Sequence, residues 1–138
     1  IVKADSLLRD YTRRILVRKP AGDHEEVTVE AVPKPDAPVV WGKVLLSGLA
    51  YAPGGEKFPD GYAIPQKEDD YSERGELIRT ILLSDVGVLG GRTVPTRMEC
   101  VPHKQPGQRT IIKYHSIDYD LPIPATMFSL ERLQKEKY

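Results

Sequence analysis

Three stretches of this chain hold residue types that could do chemistry. His115, Ser116 and Asp118 supply a base, a hydroxyl nucleophile and a carboxylate. A hydrolytic triad works by convergence in space, not by nearness in sequence. On an extended strand successive side chains point to opposite faces, so His115 opposes both Ser116 and Asp118. The set does not converge without a bulge, and a structural role is the better reading. Cys100, His103 and His24 are metal-ligand types, but a site needs three or four converging ligands and no paired ligand motif joins these. Cys100 reads instead as a small apolar residue in line with Val94 and Met98. Asp69, Asp70 and Glu73 lack the alternating oxygens and central glycine of a calcium loop and read as a solvated turn. No glycine-rich phosphate cradle follows a strand and opens a helix. The expectation is a protein without catalysis, metal or cofactor.

Composition narrows the classes further. The chain has 138 residues, 40% of them apolar and 29% charged, with 20 basic and 20 acidic side chains. That is one domain or part of one, with no basic excess to suggest nucleic acid and no acidic tail. The single cysteine excludes an internal disulfide. No apolar run approaches the roughly 20 residues of a membrane-spanning helix, and no signal peptide is visible. The chain opens on IVKADSLL without an initiator Met, which suggests the C-terminal portion of a larger domain.

The elements that would position a site are mostly strands. Ile1 to Leu8 is a short amphipathic segment. Tyr11 to Arg18 is rich in strand formers, Gly22-Asp23 marks a hairpin tip, and Glu25 to Val32 alternates with the period of two expected of a half-buried strand. PKPDAP at residues 33–38 is an extended linker. Val39 to Ser47 reads as a strand whose Gly42 marks a bulge or a close approach to the backbone. Leu49 to Pro65 reads as loop, with an edge strand near Tyr62 to Lys67. KEDDYSERGE at residues 67–76 reads as a polar turn. Glu76 to Val86 is a strand, and Gly87 to Gly91 a turn. Thr93 to Val101 and Arg109 to Asp118 form a hairpin around Pro106-Gly107, a turn pair. Met127, Phe128, Leu130 and Leu133 have the spacing of one helical face. Six or seven strands with short turns and no βαβ alternation predict a mainly β protein, a curved antiparallel sheet or half-open barrel with short terminal helices.

Alternate apolar positions recur along these strands: Val40, Val44 and Leu46; Ile81 and Leu83; Val94 and Met98; Ile112 and Tyr114. With so little helix to cover it, such a face must meet further protein, a partner or an apolar ligand. These nine residues are the candidate lining of an apolar cavity.

Several tracts, in order, resemble the LolA-like outer-membrane lipoprotein-sorting proteins, specifically the C-terminal part of their domain. VPKPDAPVVWGK at residues 32–43 resembles the family's proline-rich entry to a strand ending in Gly-Lys. GELIRTILLSDV at residues 75–86 resembles its G-E-L…T…F-S-D-V tract. VPTRME at residues 94–99 and residues 107–120 with the closing LPIPATMFSLERL also match its pattern, and DYTRRIL at residues 10–16 has a counterpart. The sequence departs from the pattern at residues 49–60, which are longer and richer in Gly and Pro, and at Leu82-Leu83, where an aromatic is expected. The family's N-terminal portion has no counterpart here.

The resemblance implies a half-open barrel, plugged by helices, whose cavity holds lipoprotein acyl chains or phospholipid during passage through the periplasm towards the outer membrane. An inner-membrane transporter and an outer-membrane acceptor would be its partners, and no catalysis is implied. A second expectation stands beside the carrier: a non-catalytic periplasmic β-domain that docks on a membrane transporter or envelope complex through polar tips at Lys67 to Arg74 and His103 to Arg109.

Overall fold

The computed structural model describes residues 4–116. A short helix, α1 (Ala4–Asp10), leads into seven strands: β1 (Tyr11–Ala21), β2 (His24–Pro33), β3 (Lys43–Tyr51), β4 (Tyr62–Tyr71), β5 (Leu77–Leu89), β6 (Arg92–Pro102) and β7 (Thr110–Lys113). All pair antiparallel with their sequence neighbours, in the order β1-β2-β3-β4-β5-β6-β7. The sheet is a meander whose first and last described strands do not pair, so it stays open.

Local sequence explains the corners. Gly22 takes a positive φ of 73° at the first turn position of the β1–β2 hairpin, which fits a type II′ turn. Gly90 and Gly91 both take positive φ between Leu89 and Arg92, as a type I′ turn requires. Two close approaches also need glycine. A Cβ on Gly42 would stand 2.6 Å from the Glu73 Cα, against the β4–β5 turn. A Cβ on Gly48 would stand 2.4 Å from the Ile64 carbonyl oxygen. At Gly48 the β3–β4 register shifts: Ser47 faces Lys67 but Gly48 faces Pro65, which leaves Gln66 as an extra residue. Such a bulge bends its strand and raises the local twist.

Four of the sequence expectations are corrected. The strand expected at Val39 to Ser47 begins at Lys43 and runs to Tyr51; Val40 lies in the preceding loop and is 77% exposed. The tract expected as a polar turn at 67–76 is strand as far as Tyr71, and only its end turns. β5 runs through Gly87 to Leu89, where a turn was expected. Among the described residues the last strand is four residues long, from Thr110 to Lys113. The helix expected around Met127 to Leu133 lies outside the described residues.

The core sits at one end of one sheet face. Tyr11, Ala31 and Val44 are buried there, with Leu7 of α1, Val39 and Trp41 of the β2–β3 loop, and Leu46 packed around them. Asp10 ties the helix to the sheet: its carboxylate accepts hydrogen bonds from Ser6 and Arg9, while its carbonyl accepts from the Lys34 N–H at 2.8 Å.

Candidate functional site

Residues directly opposed in an antiparallel ladder share a face, so the registers define rows that cross the sheet. One row runs Ala31, Val44, Asp70, Arg79, Pro102. The next runs Val29, Leu46, Glu68, Ile81, Cys100, Thr110. Further along, Leu83, Met98 and Ile112 stand side by side. The core residues Ala31 and Val44 belong to this same face, so it is the one on which α1 and the β2–β3 loop lie. From β2 to β7 it extends about 24 Å, at about 4.8 Å between strands.

Six of the nine residues expected to line a cavity, Val44, Leu46, Ile81, Leu83, Met98 and Ile112, come together on this face. Val44 and Ile81 are buried, Leu46, Leu83 and Met98 half-buried, and Ile112 exposed. Val94 is half-buried opposite Gly87, four residues from Met98 along β6. Tyr114 stands just past β7, where its N–H donates to the Thr96 carbonyl at 2.8 Å, and it is exposed. Val40 lies in the β2–β3 loop, off the rows. Beside the Gly48 bulge, Val27, Val29, Leu46, Ala63 and Pro65 help to line an open, almost wholly apolar hollow of about 300 Å³.

Two carboxylates interrupt the apolar rows, and sequence reasoning missed both. Glu68 stands between Leu46 and Ile81, and Asp70 between Val44 and Arg79. Both are fully buried, which corrects the reading of the 69–73 acids as a solvated turn. The Arg79 Nε donates to Asp70 Oδ2, and the Arg79 guanidinium lies 4.8 Å from the Trp41 ring centre, a cation–π contact. Among the described residues Asp70 Oδ1 has no hydrogen-bond partner. Close by, burial pushes the Tyr11 hydroxyl above the usual tyrosine pKa, and the negative charges of Asp70, Asp10 and Glu68 add to the shift. The one available sequence signal was the spacing of Glu68 and Asp70, two apart on a strand next to Leu46 and Ile81.

The opposite face carries a different network. The Thr80 hydroxyl donates to Asp69 Oδ1 at 2.6 Å and lies 2.7 Å from His103 Nε2. Its single proton is committed to the carboxylate, so His103 donates. Glu99 accepts from Arg97 and Arg109. At the far end, Phe58 stacks on Tyr62 and meets Tyr51 edge-on, with His24 tilted against Tyr51. His24 Nδ1 lies 2.8 Å from Asp23, well away from Cys100 and His103 in the fold. Cys100 is half-buried in the second row. His115 and Ser116 lie past β7 and are exposed, and Asp118 lies outside the described residues. No group of three or more His, Cys, Asp or Glu among the described residues could hold a metal ion, and no helix among them is long and apolar enough to cross a membrane.

Comparison with known proteins gives relatives of fold. A family described as "Uncharacterized protein" matches residues 60–135, more than half of the chain. No curated protein matches the sequence. Three solved structures are similar in fold. A LolA superfamily protein from Nitrosomonas europaea superposes with a TM-score of 0.66 at 21% identity, covering 91% of this chain and 51% of that one. A DUF1329 family protein from Desulfovibrio piger gives a TM-score of 0.68 at 15% identity, over 91% of this chain and 48% of its own. A domain from Vibrio parahaemolyticus, assigned as an outer membrane lipoprotein-sorting protein, gives 0.60 at 14% identity, over 92% and 49%. The chain therefore spans about half the length of each.

Proposed function

The chain belongs to the family described as "Uncharacterized protein" and has the LolA-like fold, and from that premise we propose that it forms the acyl-binding wall of a carrier. In this reading the apolar rows of the face that carries α1 hold the acyl chains of a lipoprotein or phospholipid in the periplasm, for transfer towards the outer membrane, with no reaction catalysed. A transporter that loads the carrier and a membrane acceptor that empties it would be its partners.

The observation that carries the reading is the shared face of Leu46, Ile81, Leu83, Met98 and Ile112 on an unclosed sheet. Acyl chains gain about 0.8 kcal/mol per methylene removed from water, so a long apolar wall is enough to bind them without any polar recognition. Titration with a fluorescent fatty acid and native mass spectrometry of the purified protein test this. Saturable binding near stoichiometry, or a co-purifying lipid or acylated peptide, is the expected result; neither would be seen if the wall were merely structural.

The docking module remains the second reading, and a specific observation favours it. Among the described residues β1 is an edge strand, with Ile15, Leu16 and Val17 each more than 40% exposed, and an unpaired strand edge is a template for another chain. Lys67 to Arg74 no longer serves as its polar tip, because most of that tract is strand.

A further inference from the structure

The proposed wall is not uniformly apolar, and its exception has a chemical direction. Asp70 is fully buried, and one of its carboxylate oxygens, Oδ2, is occupied by Arg79. The other, Oδ1, is equally buried and has no hydrogen-bond donor among the described residues. A buried carboxylate oxygen left without a donor costs free energy, and an ionised carboxylate only accepts. What Oδ1 lacks is therefore an N–H or O–H group, and a positively charged one best of all. The oxygen stands on the same face as Leu46, Ile81 and Val44, one row from the apolar wall. Negative charge already acts at this spot, since the neighbouring Tyr11 hydroxyl is held protonated in part by Asp70 and Glu68. The Arg79 guanidinium, which also lies 4.8 Å from the Trp41 ring centre, reaches Oδ2 through its Nε.

We propose that Asp70 Oδ1, at the floor of the acyl-binding face, is the recognition point for a primary ammonium group carried next to the acyl chains of the ligand. The inference rests on the carrier reading and adds a headgroup class to it. A primary ammonium supplies three donors on a compact cation, whereas a quaternary ammonium has the same charge and no donor. Amphiphiles that carry such a group include an ethanolamine-headed phospholipid and an acylated peptide whose amino terminus is free. At this end Leu7 of α1 and Val39 and Trp41 of the loop pack against the core cluster of Tyr11, Ala31 and Val44. Leu7, Val39 and Trp41 are the groups that the headgroup displaces on entry.

The test compares matched pairs by competition against a fluorescent fatty acid. The first pair is lysophosphatidylethanolamine and lysophosphatidylcholine of equal chain length. The second is a diacylated lipopeptide with a free amino terminus and the same peptide acetylated there. The expected result is at least about a tenfold preference for the primary-ammonium member of one pair, the size of one charged hydrogen bond, and the pair that shows it identifies the source. Asp70→Asn should bring that ratio to near unity while both members still bind. The wild-type ratio decides the matter even if the variant does not fold. Equal binding within both pairs overturns the inference and leaves the carrier reading standing. Binding of no member of either pair overturns both.

Discussion

Gly48 and Ile64 approach so closely across β3 and β4 that a Cβ on Gly48 would stand 2.4 Å from the Ile64 carbonyl oxygen and 3.0 Å from the Pro65 Cα. Both obstacles are backbone and cannot swing aside. The contact coincides with the Gln66 bulge, so it fixes where the sheet bends beside the apolar hollow. Gly48→Ala is expected to destabilise the protein by about 1–3 kcal/mol, the cost of overpacking a fixed space. Gly55→Ala, which has no neighbour nearer than 3.9 Å, should stay within about 0.5 kcal/mol of wild type. Urea unfolding of the two variants checks this; equal midpoints would mean that the ladder relaxes at no cost.

Thr80 is the hinge of the polar network on the opposite face, 8% exposed and bonded to both Asp69 and His103. Thr80→Val keeps the shape and removes the hydroxyl. It leaves a half-buried carboxylate and an imidazole without the group that linked them, at a cost of about 1–3 kcal/mol. The double variant Thr80→Val with Asp69→Asn should lose less than the sum of the single changes, because both act on one network. Strict additivity in thermal or denaturant melts would show that the bonds are independent.

The two shifted groups at the helix–sheet junction act at opposite ends of the pH scale. The hydrogen bonds from Arg9 hold the Asp10 carboxyl below the ordinary aspartate value, with Ser6 assisting and burial opposing. A depressed carboxyl pKa gives stability that is present above the unfolded value and lost as the pH falls through the folded one. Tyr11 is shifted upwards, by burial first and then by Asp70, Asp10 and Glu68. Its contribution is complete below the unfolded tyrosine value and declines as the pH rises towards the folded one. Melting temperature measured against pH should therefore fall at both extremes. Asp10→Asn should flatten only the acid limb and Tyr11→Phe only the alkaline limb. A variant that flattens neither limb would show that its side chain titrates alike folded and unfolded.

What could be read from the sequence follows from which signals are local. The meander was legible because β2 alternates and because Gly22-Asp23 and Gly90-Gly91 mark tight turns. Asp69 and Asp70 were misread because aspartate is depleted in strands, and nothing local says that Val44 and Arg79 will pair on either side of Asp70. Val40 was misplaced because VVWGKVLLS reads as one strand. Gly42, whose N–H donates to the Tyr71 carbonyl at 2.9 Å, instead marks the point where the chain passes the β4–β5 turn and enters the sheet. The rows themselves depend on registers set by the bulges at Leu16 and Gln66, and a shift of one residue exchanges the two faces.

That exchange makes the wall testable residue by residue. Ile112 stands beside Met98, which pairs with Leu83, on the face that carries α1 and is 38% exposed, so a charge there should not unfold the sheet. Lys113, its neighbour, points to the other face beside Arg97, and Val40 lies in the loop. If acyl chains occupy these rows, Ile112→Asp should weaken fatty-acid binding by about tenfold or more, because it places an unpaired carboxylate against hydrocarbon. Lys113→Ala and Val40→Asp should each change it by less than about twofold. Titration of the three variants with a fluorescent fatty acid, with circular dichroism to confirm folding, makes the comparison. Weaker binding in Lys113→Ala than in Ile112→Asp would place the ligand on the opposite face and overturn the proposed wall.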